Sequence, residues 1–175
     1  MLGFAAQPQQ LTLVHQTYGW IDGDSASLAE LLALLSAIAE QPIAQGIAVT
    51  GSVDQHGHVQ AVGGLHEKVE GFFDVCTARG LSGAQGVVIP RVSAGRLMQR
   101  ADVVASVEAG KFHVYAVDSV DQAIPIVIGR TAAERGPDGL FPPVCVNGRV
   151  EARLQELAAL AVAALGDKKP TETQS

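Results

Sequence analysis

Residues 47–68 read IAVTGSVDQHGHVQAVGGLHEK, and this stretch decides the fold. Ile47 to Val53 is rich in β-branched residues and reads as a strand. His58 to Val62 reads as a second strand, and Asp54-Gln55-His56-Gly57 between them suits a hairpin turn. Gly63-Gly64 then interrupts the pattern. From Leu65 the spacing of apolar residues becomes helical, and it stays so to Arg79, where Gly80 supplies a C-terminal stop. One continuous stretch therefore holds a hairpin and the start of a helix, so the domain mixes both kinds of element.

Working outward, Gly86 to Pro90 reads as a buried strand, followed by short helical turns around Ser93–Arg100 and Val103–Ala109. Phe112 to Val117 is a further strand and Ser119 to Ile128 a closing helix. Upstream, Leu11 to Thr17 reads as a strand and Tyr18 to Gly23 as a loop. Ser25 to Gln41 reads as a helix with Leu28, Leu31, Leu32, Leu35 and Ile38 on one face, Asp24 as its N-cap and Pro42 as its stop. Gly136-Pro137, Gly139 and Pro142-Pro143 mark a linker. The expected division is a domain over 1–129 with its core from about residue 11, a Gly/Pro-rich linker over 130–148, an amphipathic helix over 149–166 and a polar tail over 167–175. The alternation alone leaves α/β and α+β open.

Composition excludes several function classes. A chain of 175 residues with 47% hydrophobic residues can bury a core of its own. Net charge is −6 and the basic residues are scattered, so no nucleic-acid footprint appears. No apolar run reaches membrane-spanning length. The N-terminus lacks a basic region ahead of an apolar run, so no signal peptide is expected and the location is expected to be cytoplasmic. Cys76 and Cys145 have no metal-ligand spacing and read as reduced thiols.

Two residues carry the chemistry. Ser25 lies in Asp22-Gly23-Asp24-Ser25-Ala26-Ser27, just ahead of the helical segment, and Lys68 lies in Gly63-Gly64-Leu65-His66-Glu67-Lys68. A serine hydroxyl becomes a nucleophile only when a positioned base takes its proton, and a lysine is one such base. An exposed lysine, with a reference pKa of about 10.4, is a poor base at neutral pH. Burial against Val62, Leu65, Val69, Phe72 and Phe73 is the expected remedy. The simpler readings are that Ser25 or Ser27 caps a helix and that Lys68 pairs with Glu67 or Glu70 at the surface. His56 and His58 suit a solvated turn better than a metal site, and no histidine sits in a catalytic pattern.

The motifs resemble the proteolytic domain of the Lon proteases. Gly23-Asp24-Ser25-Ala26-Ser27 is similar to the nucleophile motif of the archaeal-type (B-type) branch; the bacterial A-type branch usually has Pro at the place of Asp24 and Gly at that of Ser27. Glu67-Lys68 matches the family's Glu-Lys pair, and Thr50 in Ala48-Val49-Thr50-Gly51 falls on a threonine that helps hold the lysine. The likeness runs from about Leu11 to Gly129 and includes Gly71–Cys76 and Val87–Pro90. It implies an α+β fold, a compact mixed β-sheet with helices related to a ribosomal small-subunit protein domain. It also implies a serine endopeptidase with Ser25 as nucleophile and Lys68 as base, acting on unfolded polypeptides through an acyl-enzyme. The supporting residues would be Thr50 and Asp22, the latter able to pair with Lys68 or simply to form a turn.

Lon enzymes are expected to assemble as homo-hexamers and to spend ATP in a separate module. A phosphate-binding loop needs Gly-x-x-x-x-Gly-Lys-Ser/Thr, and the lone Gly110-Lys111 is followed by Phe112. No cofactor is therefore expected in this chain, which is expected to be a piece of a longer protein. The competing expectations are a ring-assembly domain with no activity of its own and a small-molecule phosphotransferase, for which Gly63-Gly64 is thin support.

Overall fold

The computed structural model describes residues 23–166, with side chains to residue 164. The expected strand at Leu11–Thr17, His15, the loop with Tyr18, Trp20 and Asp22, and the polar tail lie outside the described residues. Helix α1 spans Ser27–Ala39 and buries Leu28 and Leu32. It is shorter at both ends than the expected Ser25–Gln41. Ala26, not Asp24, occupies the N-cap position and contributes no side-chain bond, while Glu40 closes the helix in a left-handed conformation at φ 53°.

Strands β1 (Ile47–Val49) and β2 (Ser52–Val53) replace the single expected strand. The chain breaks at Thr50-Gly51 because two neighbours compete for it. Thr50 still donates its N–H to Val88 at 3.0 Å, but Gly51 donates to the Ser25 carbonyl at 3.0 Å. Beyond the break β2 pairs antiparallel with β3 (Val59–Gln60), as the hairpin reading requires. One Asp54 carboxylate oxygen accepts the N–H groups of His56 (2.8 Å) and His58 (2.9 Å) and so shapes the turn.

Helix α2 (Leu65–Arg79) and strand β4 (Gly86–Pro90) match their expected bounds. Then come α3 (Arg91–Ala94), α4 (Ala101–Glu108), β5 (His113–Val117) and α5 (Val120–Ile128). The main sheet is parallel with order β1-β4-β5. β4 is buried along its whole length, as a central parallel strand covered on both faces must be. Its side chains alternate between two clusters. Val88 joins Leu28, Leu32, Ile124 and Val127 beneath α1 and α5. Val87 and Ile89 join Val69, Phe73, Val103 and Phe112 beneath α2 and α4. Each such fully buried aliphatic or aromatic side chain stabilises the fold by about 1.5–3 kcal/mol. With the antiparallel β2–β3 pair the result is the expected α+β arrangement of helices around a small mixed set of strands.

Arg100 ties α2 to α4. Its guanidinium donates to Asp74 at 2.6 and 3.1 Å and to Asp102 at 2.9 and 3.1 Å, and its backbone N–H donates to Glu70 at 3.0 Å. The last helix, α6 (Val146–Gly166), starts a few residues before its expected position. It packs on α1, where Arg149 donates to the Ala39 carbonyl at 3.3 Å. Ala132, Cys145 and Val146 on its approach are buried.

Candidate active site

Ser25 lies in a turn just ahead of α1, not in the first helical turn. Hydrogen bonds to the β1–β2 break hold that turn in place. The Ser25 carbonyl accepts from Gly51 N–H at 3.0 Å and from the Thr50 hydroxyl at 3.4 Å, and Leu28 N–H donates to the Gly51 carbonyl at 3.2 Å. The Ser52 hydroxyl donates to the Asp24 carboxylate, and Val53 N–H donates to Ser27 Oγ at 3.0 Å. Asp24 and Ser27 thus reach across to another segment instead of capping their own helix. The approach is tight at Gly51. A Cβ there would sit 3.1 Å from both Leu28 Cδ2 and Val59 Cγ1.

Lys68 enters from the first turn of α2. Gly64 precedes that helix at φ 65°, a left-handed conformation that suits glycine. Lys68 Nζ donates to Ser25 Oγ at 3.0 Å and to Thr50 Oγ1 at 3.3 Å. Three residues far apart in the chain therefore meet at one amine. Thr50 is buried and Ser25 half-buried, but Lys68 is exposed. The expected apolar burial of Lys68 is not what holds it. Val69 is the next residue on the helix, about 100° further round, and it faces the sheet; with Leu65 and Phe73 it enters the core. The amine is left at the edge of the fold, gripped by two hydroxyls. Glu67 is exposed, and Asp22 lies outside the described residues.

The other candidates take structural places. His58 Nδ1 lies 3.1 Å from Asp54 Oδ2, which helps hold the Asp54 carboxyl below the usual aspartate range after the bonds it accepts from the His58 backbone. His66 Nδ1 donates to the Met98 carbonyl at 2.7 Å, and His113 Nε2 donates to that of Gly83 at 2.9 Å. Cys76 and Cys145 are free and buried, and burial pushes the Cys76 thiol up. Among the described residues no group of three or more His, Cys, Asp or Glu side chains is placed to hold a metal ion. No described helix is long and apolar enough to cross a membrane.

Residues 10–129 match the family described as the Lon protease (S16) C-terminal proteolytic domain. The chain belongs to this family. The match contains Asp22, Ser25, Thr50 and Lys68 and ends ahead of α6. A Lon protease homolog of Escherichia coli (strain K12) is 53% identical over 113 residues, covering 65% of this chain and 19% of that protein. A Lon protease homolog of Haemophilus influenzae is 47% identical over 123 residues, covering 70% of this chain and 20% of its own length. The archaeal Lon protease of Methanocaldococcus jannaschii is 35% identical over 123 residues, 69% of this chain and 16% of that protein. This Lon proteolytic domain thus spans about a fifth or less of the length of these relatives. Membership makes it a peptidase domain.

Proposed function

We propose that Ser25 and Lys68 form a catalytic dyad that hydrolyses peptide bonds. The observation that carries this reading is the 3.0 Å contact between Lys68 Nζ and Ser25 Oγ, a distance at which a proton can pass between the two atoms. Lys68 as the free amine takes the Ser25 hydroxyl proton while Oγ attacks the peptide carbonyl carbon. The tetrahedral intermediate collapses as the C–N bond breaks, and the Lys68 ammonium returns the proton to the leaving amine. A water then attacks the Ser25 ester, giving one proton to Lys68; as the C–Oγ bond breaks Lys68 returns that proton to Ser25 Oγ, and the acid product leaves. Thr50 positions the amine. The N–H groups of Ser25 and Ala26 have no acceptor among the described residues and are available to the developing oxyanion, where one donor is typically worth about 2.7–4 kcal/mol.

The substrates in this reading are unfolded polypeptides. The working assembly is a cytoplasmic homo-hexamer, with ATP used by another part of a longer protein. A serine-directed fluorophosphonate or peptide boronate tests the dyad directly. Wild type should be modified at Ser25, and Ser25→Ala should not react at all. Lys68→Ala should react far more slowly, with its fold intact by circular dichroism. Equal labelling of wild type and Lys68→Ala would overturn the dyad and favour an assembly domain without activity.

A further inference from the structure

Among the described residues four polar side chains are buried, Ser36, Gln41, Thr50 and Ser52. Buried polar groups are retained with partners, so the partner shows what each one holds. Ser36 and Gln41 bond main-chain carbonyls at the end of α1. Thr50 bonds Lys68 and Ser25. The Ser52 hydroxyl donates to the carboxylate of Asp24, the residue immediately before Ser25. Asp24 is exposed, and water alone would satisfy its carboxylate. The bond therefore fixes the chain and does not rescue a buried charge.

The two flanks of Ser25 are held differently. Downstream, the Ser25 carbonyl, Ser27 Oγ and Leu28 N–H all bond to residues 51–53. Upstream, Gly23 stands at φ 100°, with nothing within 4 Å of the place a Cβ would take. The bond from Ser27 N–H to the Asp24 carbonyl, 2.9 Å, closes the turn on itself and ties it to no other segment. Among the described residues, the bond from Ser52 to Asp24 is what ties the upstream flank to β2.

We infer that Ser52 is a positioning residue for the Ser25 nucleophile and acts through Asp24. The inference rests on the dyad reading. Thr50 holds the amine of the dyad, and Ser52, two residues on, holds the turn that carries the hydroxyl. Aim matters to a nucleophile, because a misplacement of about 1 Å costs up to about a hundredfold in rate. With the tie in place, Ser25 Oγ stays 3.0 Å from Lys68 Nζ. Without it, the glycine at 23 lets Asp24 and Ser25 swing away from the amine. Removing the Ser52 hydroxyl orphans no buried group, since the exposed carboxylate turns to water. The loss therefore falls on the site and not on the fold.

The test is the second-order rate of Ser25 labelling by a fluorophosphonate, run beside urea denaturation. Ser52→Ala should label about tenfold more slowly than wild type, the low end for losing a hydrogen bond to a charged group, with a urea midpoint close to wild type. Asp24→Ala should slow labelling to a similar extent, and adding Ser52→Ala to it should change nothing further. Asp24→Asn keeps a side-chain oxygen that accepts from Ser52, and it should recover most of the lost rate. A purely structural Ser52 would lower the urea midpoint and leave the labelling rate unmoved. That outcome, additive losses in the double variant, or equal rates for Asp24→Asn and Asp24→Ala would each overturn the inference. The two Asp24 variants, at an exposed position, carry the test even if Ser52→Ala fails to fold. Lys68→Ala is labelled in parallel. Wild-type labelling there removes the dyad whatever Ser52 does, so the two failures are distinguishable.

Discussion

Thr50→Val removes one hydroxyl and keeps the shape of the side chain. In the structure that hydroxyl accepts from Lys68 Nζ at 3.3 Å and donates to the Ser25 carbonyl at 3.4 Å. Both contacts are longer than the usual 2.9–3.0 Å, so each belongs at the low end of about 0.5–1.5 kcal/mol. The Ser25 carbonyl keeps its 3.0 Å bond from Gly51 N–H, so no buried acceptor is orphaned. Valine also places a methyl in a buried site. The expected change in unfolding free energy is therefore within about 1 kcal/mol. The amine, in contrast, loses one of its two described anchors. If the weakened contact is expressed only in the transition state, the rate of Ser25 modification falls by about two- to threefold, equivalent to about 0.5 kcal/mol. The assay is the second-order labelling rate with a fluorophosphonate, run beside urea denaturation, with Thr50→Ser as the rescue. Labelling of Thr50→Val at the wild-type rate would refute a positioning role. A loss as large as that of Lys68→Ala would also refute it, because a positioning group cannot matter as much as the base it positions.

Gly51→Ala should cost about 1–3 kcal/mol in urea denaturation, since its Cβ meets the packed Leu28 and Val59 side chains at 3.1 Å. Arg100 holds the carboxyls of Asp74 and Asp102 below the usual aspartate range. The stability they contribute is present above the unfolded aspartate pKa of about 3.9 and is lost as pH falls through their lower folded values. Urea midpoints should accordingly drop on acidification through that range, and Arg100→Met should flatten the drop. Cys76 and Cys145 are buried, and Cys76 has its thiol pushed up, so both should resist an aromatic disulfide reagent in native buffer and react at once in urea.

The residues themselves determined much of this protein. Helix α2 and strand β4 were legible to the residue because glycine or proline closes each and the apolar period within them is unambiguous. Ser25, Lys68 and Thr50 were legible as a set because their local motifs are specific, and the family match spans all three. Local pattern could not show that Ile47–Val53 breaks at Thr50-Gly51. It also could not show that Asp24 and Ser27 bond to Ser52 and Val53 instead of capping α1. Those choices depend on a contact between segments more than twenty residues apart, where a backbone group takes whichever partner the packed fold brings to it. The same holds for Lys68. Its apolar neighbours in sequence suggested burial, but the rotation of α2 that buries Val69 and Phe73 turns Lys68 outward. Sequence named the candidate pair, and the packing of α2 and the β1–β2 break against α1 set the 3.0 Å between them.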